Sequence, residues 1–193
     1  MNDEKIIGID PGLDTIGWGI LRKCGQNLSL EDCGIVKTSS RLPLEARLEK
    51  IYRQILNLIS THQPSECAIE EIYLTKKTPT HSNTLQARGV ILLACKTSGL
   101  PIYPYNPGTI KKTVTGSGKA AKYHVQKFVQ LRLNLKKLPV PDDAADALAA
   151  ALCHLQISTI NRKIEEYKKK LMLRREEKKK EFARVLKKAI KSK

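Results

Sequence analysis

Three separated segments of the sequence each carry acidic residues inside otherwise apolar stretches. Asp10 ends the run KIIGID and precedes a Pro-Gly pair, and Glu70 ends the run ECAIE. Asp143 and Asp146 lie three residues apart in an alanine-rich stretch, a spacing that places both on one face of a helix. Because an unpaired buried carboxylate is costly, such acids are paired, exposed at the end of an element, or bound to a metal.

The chemistry that suits these acids is metal-assisted hydrolysis of a phosphodiester. Clustered carboxylates repel one another unless cations neutralise them, and no basic residue accompanies these acids in sequence. Ligands made only of oxygen suit Mg²⁺ or Mn²⁺ rather than zinc. Two such ions about 4 Å apart can activate a water molecule and stabilise the leaving oxygen. The acids alone therefore predict an Mg²⁺-dependent phosphodiesterase.

Each acid taken singly also has a structural interpretation. Asp10 before Pro-Gly is a common turn residue, and Asp142 or Asp143 after Pro141 can cap a helix. Capping does not account for Asp146, which has apolar neighbours on both sides. Helical spacing leaves Asp142 and Asp143 as equal candidates, because each shares a face with Asp146.

The composition predicts a polyanionic partner. The chain has 193 residues and a net charge of +16, which favours nucleic acid, with an anionic membrane surface as the rival. Residues 157–193 hold 15 basic and 5 acidic residues, so this segment carries most of the excess charge. The N-terminus does not predict a signal peptide, and no apolar run approaches the roughly 18 residues of a membrane span. Five cysteines without metal-ligand spacing indicate reduced thiols, and we expect a cytoplasmic protein.

The strands that must position the acids are predicted from apolar runs bounded by turns. Three of them follow one another closely and predict an antiparallel meander: Lys5–Asp10, Thr15–Arg22 and Leu28–Thr38. Two more, Glu66–Glu70 and Ile102–Tyr105, alternate with helices, which indicates parallel pairing. The expected fold is α/β, with one mixed five-stranded sheet.

The helices are predicted from apolar residues recurring at helical spacing. They lie at Pro43–His62, Asn83–Thr97, Ala121–Leu133 and Asp142–Leu155. Thr109–Thr113 is predicted to be only a short turn. Residues 1–156 are expected to form one domain, and residues 157–193 a basic, helical extension.

Five segments together resemble the RuvC family of bacterial Holliday junction resolvases. They are IIGIDPGLDTIGWGIL, CAIEEIYL, LQARGV, IKKTVTGSGKAAKYHV and PDDAADALAAA, in the order and at the spacing of that family. The resemblance covers residues 5–155 and implies an RNase H-like fold with helices on both faces of the sheet. It also implies a homodimer that cuts two strands of like polarity across a four-way DNA junction, in recombination and repair.

The same resemblance assigns the site residues. The family's catalytic and metal-binding acids fall on Asp10, Glu70, Asp143 and Asp146, which prefers Asp143 over Asp142. The implied cofactor is Mg²⁺, two ions per subunit, with Mn²⁺ as a substitute. A branch-migration motor complex is a further candidate partner.

Other matched residues are implied to contact DNA. Lys111 and Lys122 match lysines near the family's active site, where an ammonium group stabilises developing charge. Tyr73 matches an aromatic residue that stacks at the junction, and ordinary surface packing is its alternative. Gly116 and Gly118 match a loop whose backbone approaches DNA, with a plain flexible turn as the alternative.

Three other functions compete with this hypothesis. A phosphotransferase of the actin and sugar-kinase superfamily also opens with a strand ending in Gly-x-Asp-x-Gly, but such enzymes repeat the subdomain and need a longer chain. A nuclease for structured RNA and a non-catalytic DNA-binding module share the expected fold, and the presence of all four acids speaks against the latter. The basic extension either binds DNA by counterion release, is a solvated charged helix, or packs on the body or a partner.

Overall fold

The structure is a computed structural model that describes residues 3–72 and 81–191, with side chains over residues 3–72 and 82–180. It divides into two compact units, Met1–Leu155 and Gln156–Lys193. The first unit holds the sheet and all four candidate acids. Tyr73, the candidate stacking residue, lies outside the described residues.

The sheet has five strands and mixed pairing, as predicted. The strands are β1 (Asp3–Asp10), β2 (Thr15–Cys24), β3 (Asn27–Lys37), β4 (Glu66–Glu70) and β5 (Ile102–Tyr105). Their order in space is β3-β2-β1-β4-β5, with β1, β2 and β3 antiparallel and β1, β4 and β5 parallel. The antiparallel meander and the parallel crossovers are therefore both confirmed, and the predicted bounds differ by at most one or two residues.

Five helices complete the described chain. They are α1 (Leu44–His62), α2 (His81–Thr97), α3 (Pro107–Thr115), α4 (Lys122–Arg132) and α5 (Asp142–Lys191). Helix α5 thus begins where the alanine-rich helix was predicted and continues past Leu155 into the second unit. None of the described helices combines the length and hydropathy needed to cross a bilayer.

Helix α3 corrects the prediction of a short turn over Thr109–Thr113. The side chain of Asn106 accepts a hydrogen bond of 2.7 Å from the backbone N–H of Thr109, and Pro107 follows the cap. Both residues are start signals that favour a helix. Gly116, with a φ of 83°, then closes the helix in the left-handed conformation.

Helices cover both faces of the sheet. On one face, isoleucines of β1 and β2 pack in a single cluster with α1 and α2, represented by Ile7, Ile20, Ile55 and Ile91. On the other face lies the first part of α5, in which Ala144–Leu155 is almost wholly buried. The fold implied by the family resemblance is confirmed, and its central layer is the sheet between two helical layers.

Glycines on β1 and β2 allow α5 to lie directly on the strand backbones. A Cβ atom added at Gly8 would overlap the carbonyl oxygen of Ala147 and would lie 3.0 Å from the Cβ of Ala151. A Cβ at Gly17 would likewise overlap the carbonyl oxygen of Asp143. Since Gly8 pairs with Gly19 across the two strands, the glycines line one contact surface.

This close approach predicts that Gly8→Ala destabilises the protein. The added methyl group meets a backbone carbonyl, which can move only if α5 moves, and we expect a loss of at least about 2 kcal/mol in the free energy of unfolding. Urea unfolding followed by circular dichroism measures it. Gly89→Ala is the matched control, because Gly89 is exposed in α2 with no neighbouring atoms in the way, and it should stabilise the helix by about 0.5–1 kcal/mol. Equal effects of the two substitutions would contradict the packing described above.

Candidate active site

Two of the candidate acids end neighbouring parallel strands. Asp10 is the last residue of β1, and Glu70 is the last residue of β4. Gly8 pairs with Ala68 across these strands, so the acids two residues further on lie at the same edge and on the same face. That face is the one covered by α5.

The other two acids come from the first turns of α5. Asp143 and Asp146 lie on this helix, and the backbone of Asp143 rests against Gly17 of β2. Gly17 is the strand partner of Asp10. The glycine contact therefore brings the beginning of α5 over the end of β1, where Asp10 lies.

The acids form one electrostatic cluster. Burial raises the pKa of Asp10 to about 8, and the negative charges of Glu70, Asp146 and Asp143 add to the shift. Burial also raises the pKa of Glu70 to about 7, with a further contribution from Asp146. The pKa of Asp146 is raised by burial, although a hydrogen bond from Lys122 opposes the change. Each ionised acid thus makes the ionisation of its neighbours harder.

Two lysines border the acids. Lys122, the first residue of α4, places its Nζ 3.1 Å from Asp146 Oδ2 and 3.7 Å from Asp142 Oδ2. Burial alone would lower the pKa of Lys122, but the hydrogen bond and the charge of Asp146 raise it overall, so the ammonium form persists. Lys111 of α3 lines the same pocket as Glu70, Lys122 and Asp146.

Asp142 and Asp143 have different surroundings in the structure. Asp142 is exposed and accepts a hydrogen bond of 2.5 Å from Gln126 Nε2 of α4. Asp143 is half-buried, and its charge acts on Asp10. The two residues are equivalent by helical spacing, but they differ in the structure. Of the two, Asp143 is the one whose charge raises the pKa of Asp10.

The donor set suits a hard divalent cation, but the side chains do not form a finished cage. Among the described side chains, those of residues 3–72 and 82–180, no three from His, Cys, Asp or Glu lie close enough together to hold a metal ion. Even so, four carboxylates lie near two lysines here, and burial, with a contribution from neighbouring negative charges, raises the pKa values of Asp10, Glu70 and Asp146. Oxygen donors that repel one another fit Mg²⁺ or Mn²⁺ by their chemistry.

The two candidate glycines lie on the chain between α3 and α4. Gly116 is the left-handed cap of α3. A Cβ added at Gly118 would lie 3.3 Å from the carbonyl oxygen of Gly108, so this residue packs beside the start of α3. Both glycines are exposed, and the helices that they join carry Lys111 and Lys122.

A buried polar cluster on the same face is absent from the sequence-based predictions. His154 of α5 is 1% exposed, and its ring nitrogens lie 2.6 Å from Glu66 Oε2 and 2.7 Å from the hydroxyl of Tyr105. Its ring also stacks on Tyr103, with centroids 4.4 Å apart. These contacts tie α5 to β4 and β5, the strands beside the acids. The sequence offered a weak signal only, a histidine on the buried side of an alanine-rich helix.

Comparison with known proteins identifies one family. A family model described as crossover junction endodeoxyribonuclease RuvC matches residues 6–154. A relative of that description from Petrotoga mobilis is 48% identical over 149 residues, which cover 77% of this chain and 91% of the relative. Another from Roseiflexus is 41% identical over 166 residues, which cover 86% of this chain and 99% of the relative. The structure of Thermus thermophilus RuvC in complex with Holliday junction substrate is 32% identical, with a TM-score of 0.77 over 82% of this chain and 96% of that one.

The raised pKa of Asp10 predicts how stability depends on pH. The folded value of about 8 lies above the ordinary value near 4, so folding favours the protonated acid. This contribution is fully present below about pH 4 and is lost as the pH rises through about 8. In the presence of a chelator, the free energy of unfolding should therefore fall by several kcal/mol between mildly acidic and mildly alkaline pH. Denaturant unfolding across this range measures the slope.

Asp10→Asn should flatten most of that dependence and should stabilise the protein at alkaline pH, since the amide needs no proton. Glu45→Gln replaces an exposed acid of α1 as a control and should leave the slope as it is. An unchanged slope in the Asp10→Asn variant would show that this acid is not the buried group described here.

The histidine cluster predicts strong coupling between α5 and β4. His154→Ala leaves the carboxylate of Glu66 without its buried partner and should cost about 2–4 kcal/mol. A double-mutant cycle with Glu66→Gln, followed by urea unfolding, should give a coupling energy of about 1–3 kcal/mol. Additive effects of the two substitutions would mean that the contact does not hold the helix on the strand.

Proposed function

Because the chain belongs to the RuvC family of crossover junction endodeoxyribonucleases, we propose that it is a Holliday junction resolvase. In this role it nicks two strands of like polarity at a four-way DNA junction. The observation that carries the proposal is the gathering of Asp10, Glu70, Asp143 and Asp146 where the ends of β1 and β4 meet the first turns of α5. Support for the substrate comes from the Thermus relative, whose structure holds a Holliday junction.

The four acids are the proposed ligands of two Mg²⁺ ions, for which Mn²⁺ can substitute. Bound divalent ions lower the pKa of water and stabilise negative charge on the leaving oxygen of a phosphodiester. The burial of Asp10 and Glu70 supports this assignment, because both acids are costly to ionise until a cation compensates their charge. The family resemblance prefers Asp143 over Asp142, and this choice is supported by the charge of Asp143, which acts on Asp10, whereas Asp142 is exposed and bound by Gln126.

The two lysines have distinct parts in this proposal. Lys122 fixes the carboxylate of Asp146 through a hydrogen bond and remains about half exposed, so its ammonium group also faces incoming DNA. Lys111 lines the pocket beside Glu70 and supplies a second positive charge there. Positive charges placed beside the scissile phosphate stabilise the charge that develops on it during hydrolysis.

Further parts of the proposal concern the DNA and the partners. Gly116 and Gly118 are proposed to let the backbone approach DNA beside the two lysines, and Tyr73 to stack on an unpaired base. Residues 1–156 are the proposed nuclease domain. A homodimer is proposed from the family resemblance, and in such a dimer a two-fold axis would relate two active sites to the two symmetric cuts. A branch-migration motor complex is the proposed partner that supplies the junction.

Cleavage of three substrates side by side tests this function. A synthetic four-way junction, a linear duplex of the same sequence and a structured RNA are incubated with the chain in Mg²⁺ and in EDTA. We expect paired nicks in strands of like polarity in the junction, only with Mg²⁺, and little cutting of the other two. Products should be ligatable, with a 5′-phosphate and a 3′-hydroxyl. Equal cutting of all three substrates would refute a junction resolvase.

Asp146→Asn tests the metal-site assignment in the same assay. Loss of one carboxylate ligand should slow junction cleavage by at least about a hundredfold while leaving junction binding largely intact. Asp142→Asn is the matched control, four residues earlier on the same helix and also in contact with Lys122. It should retain activity within about tenfold. Equal losses in the two variants would contradict the assignment.

A further inference from the structure

The second unit of the structure lies outside the family match. That match ends at residue 154, and the unit begins at Gln156. The alignment with the Roseiflexus relative spans 166 residues and covers 99% of that relative. The relative is therefore shorter than this chain of 193 residues. The basic extension therefore lies beyond the residues that the family model matches, and most of it lies beyond the length of this relative.

The extension is a continuous, exposed, strongly basic helix. Helix α5 continues through Lys191, and every residue from 161 to 180 is exposed. Within those 20 residues the sequence has ten basic and four acidic residues. Six of the seven lysines form two triplets, Lys168–Lys170 and Lys178–Lys180. Successive residues of a helix point about 100° apart, so the three lysines of each triplet point in three different directions. The two triplets lie about 15 Å apart along the helix axis.

We propose that this extension, defined as residues 157–193, is a second DNA-binding element that contacts the phosphate backbone of duplex DNA. The proposal rests on the proposed function, because it takes the DNA arms of the junction as the nearest polyanion. Duplex DNA carries about one negative charge per 1.7 Å of its axis, so two lysine triplets 15 Å apart can lie on the same stretch of duplex. Lysine ammonium groups bind phosphates as point charges without reading bases.

Two other occupants of this helix fit its charge pattern less well. Its apolar stripe, Ile160, Ile164, Tyr167 and Leu171, is interrupted where Arg174 and Lys178 take the next positions at the same spacing. A helix lying in a membrane surface needs an apolar face along its length, and this one is interrupted by charges. A second copy of the helix would bring together two segments that each carry a net charge of +10.

Phosphate contacts of this kind have a defined consequence. They release counterions from the DNA, so they strengthen binding at low salt and steepen its salt dependence. They do not distinguish a branched arm from a linear one. The extension should therefore raise the affinity for junction and linear duplex by the same factor and leave the preference for the junction to the nuclease domain.

The test is a salt titration of DNA binding by the full chain, in EDTA to prevent cleavage. In the test variant, the six lysines of the two triplets are replaced by glutamine, which is also a good helix former. If three or four of them contact phosphates, the slope of log K against log salt should decrease in magnitude by about 3. Affinity for junction and duplex should fall together, by about 10- to 100-fold at moderate salt.

The same six positions changed to arginine give the matched control. Arginine keeps the charge, so this variant should retain both the affinity and the salt slope. Circular dichroism should show equal helix content in the two variants. Equal weakening in the glutamine and arginine variants, or an unchanged slope with glutamine, would overturn the proposal.

A further arm replaces DNA by vesicles of phosphatidylcholine and phosphatidylserine. We expect the glutamine substitutions to change DNA binding and not vesicle sedimentation at the same salt. Loss of vesicle binding with unchanged DNA affinity would overturn the proposal in favour of a membrane surface. Junction cleavage by the unsubstituted chain in Mg²⁺ separates the two hypotheses. Absent cleavage refutes the proposed function, whereas normal cleavage with an unchanged salt slope refutes only the role of the extension.

Discussion

The contact of α5 with the backbones of β1 and β2 determines where the candidate active site forms. Gly8 and Gly17 have no side chains to hold the helix away, and the buried alanines of α5 are small enough to lie against them. Any larger residue would meet backbone atoms rather than a flexible side chain. Because Gly17 pairs with Asp10 and touches Asp143, the contact that packs the helix also brings acids of two elements together. At the other end of the buried segment, His154 fixes the helix to β4 through Glu66.

That packing makes ionisation of these acids unfavourable for folding, and it favours chemistry that uses a bound cation. Burial and mutual repulsion raise the pKa values of Asp10 and Glu70 to about 8 and about 7, so near neutral pH part of their charge is gained only at the expense of stability. A cation that compensates this charge is correspondingly favoured at the site. A more open arrangement would remove the conflict and, with it, this electrostatic preference for a cation.

The sequence predicted the strands and most of the helices well because they depend on local pattern. Glu66–Glu70 and Ile102–Tyr105 agree with the structure at both ends, since apolar runs bounded by turn residues specify a strand locally. Asn106 and Pro107 are helix start signals, but the sequence predicted only a turn at helix α3. Its nine residues are too few to show a clear helical pattern of apolar positions. The surroundings of Asp142 differ from those of Asp143 because Gln126 binds Asp142. The buried position of His154 depends on its contacts with Glu66 and Tyr105. Such partners are distant in sequence, and the spacing of residues within one segment does not indicate which distant residues it contacts.

The charge distribution differs between the candidate active site and the rest of the chain. At the site, four acids outnumber the two lysines that border it, and Lys122 is already engaged with Asp146. We therefore expect the acids to weaken the attraction of phosphates to the site, and basic residues outside it to supply most of the attraction to DNA. The body holds a modest excess of basic residues, and residues 157–193 hold a larger one in a quarter of its length. Most of the net positive charge lies in residues 157–193, outside the segments that carry the four acids, and this is the physical reason to propose DNA binding by the extension.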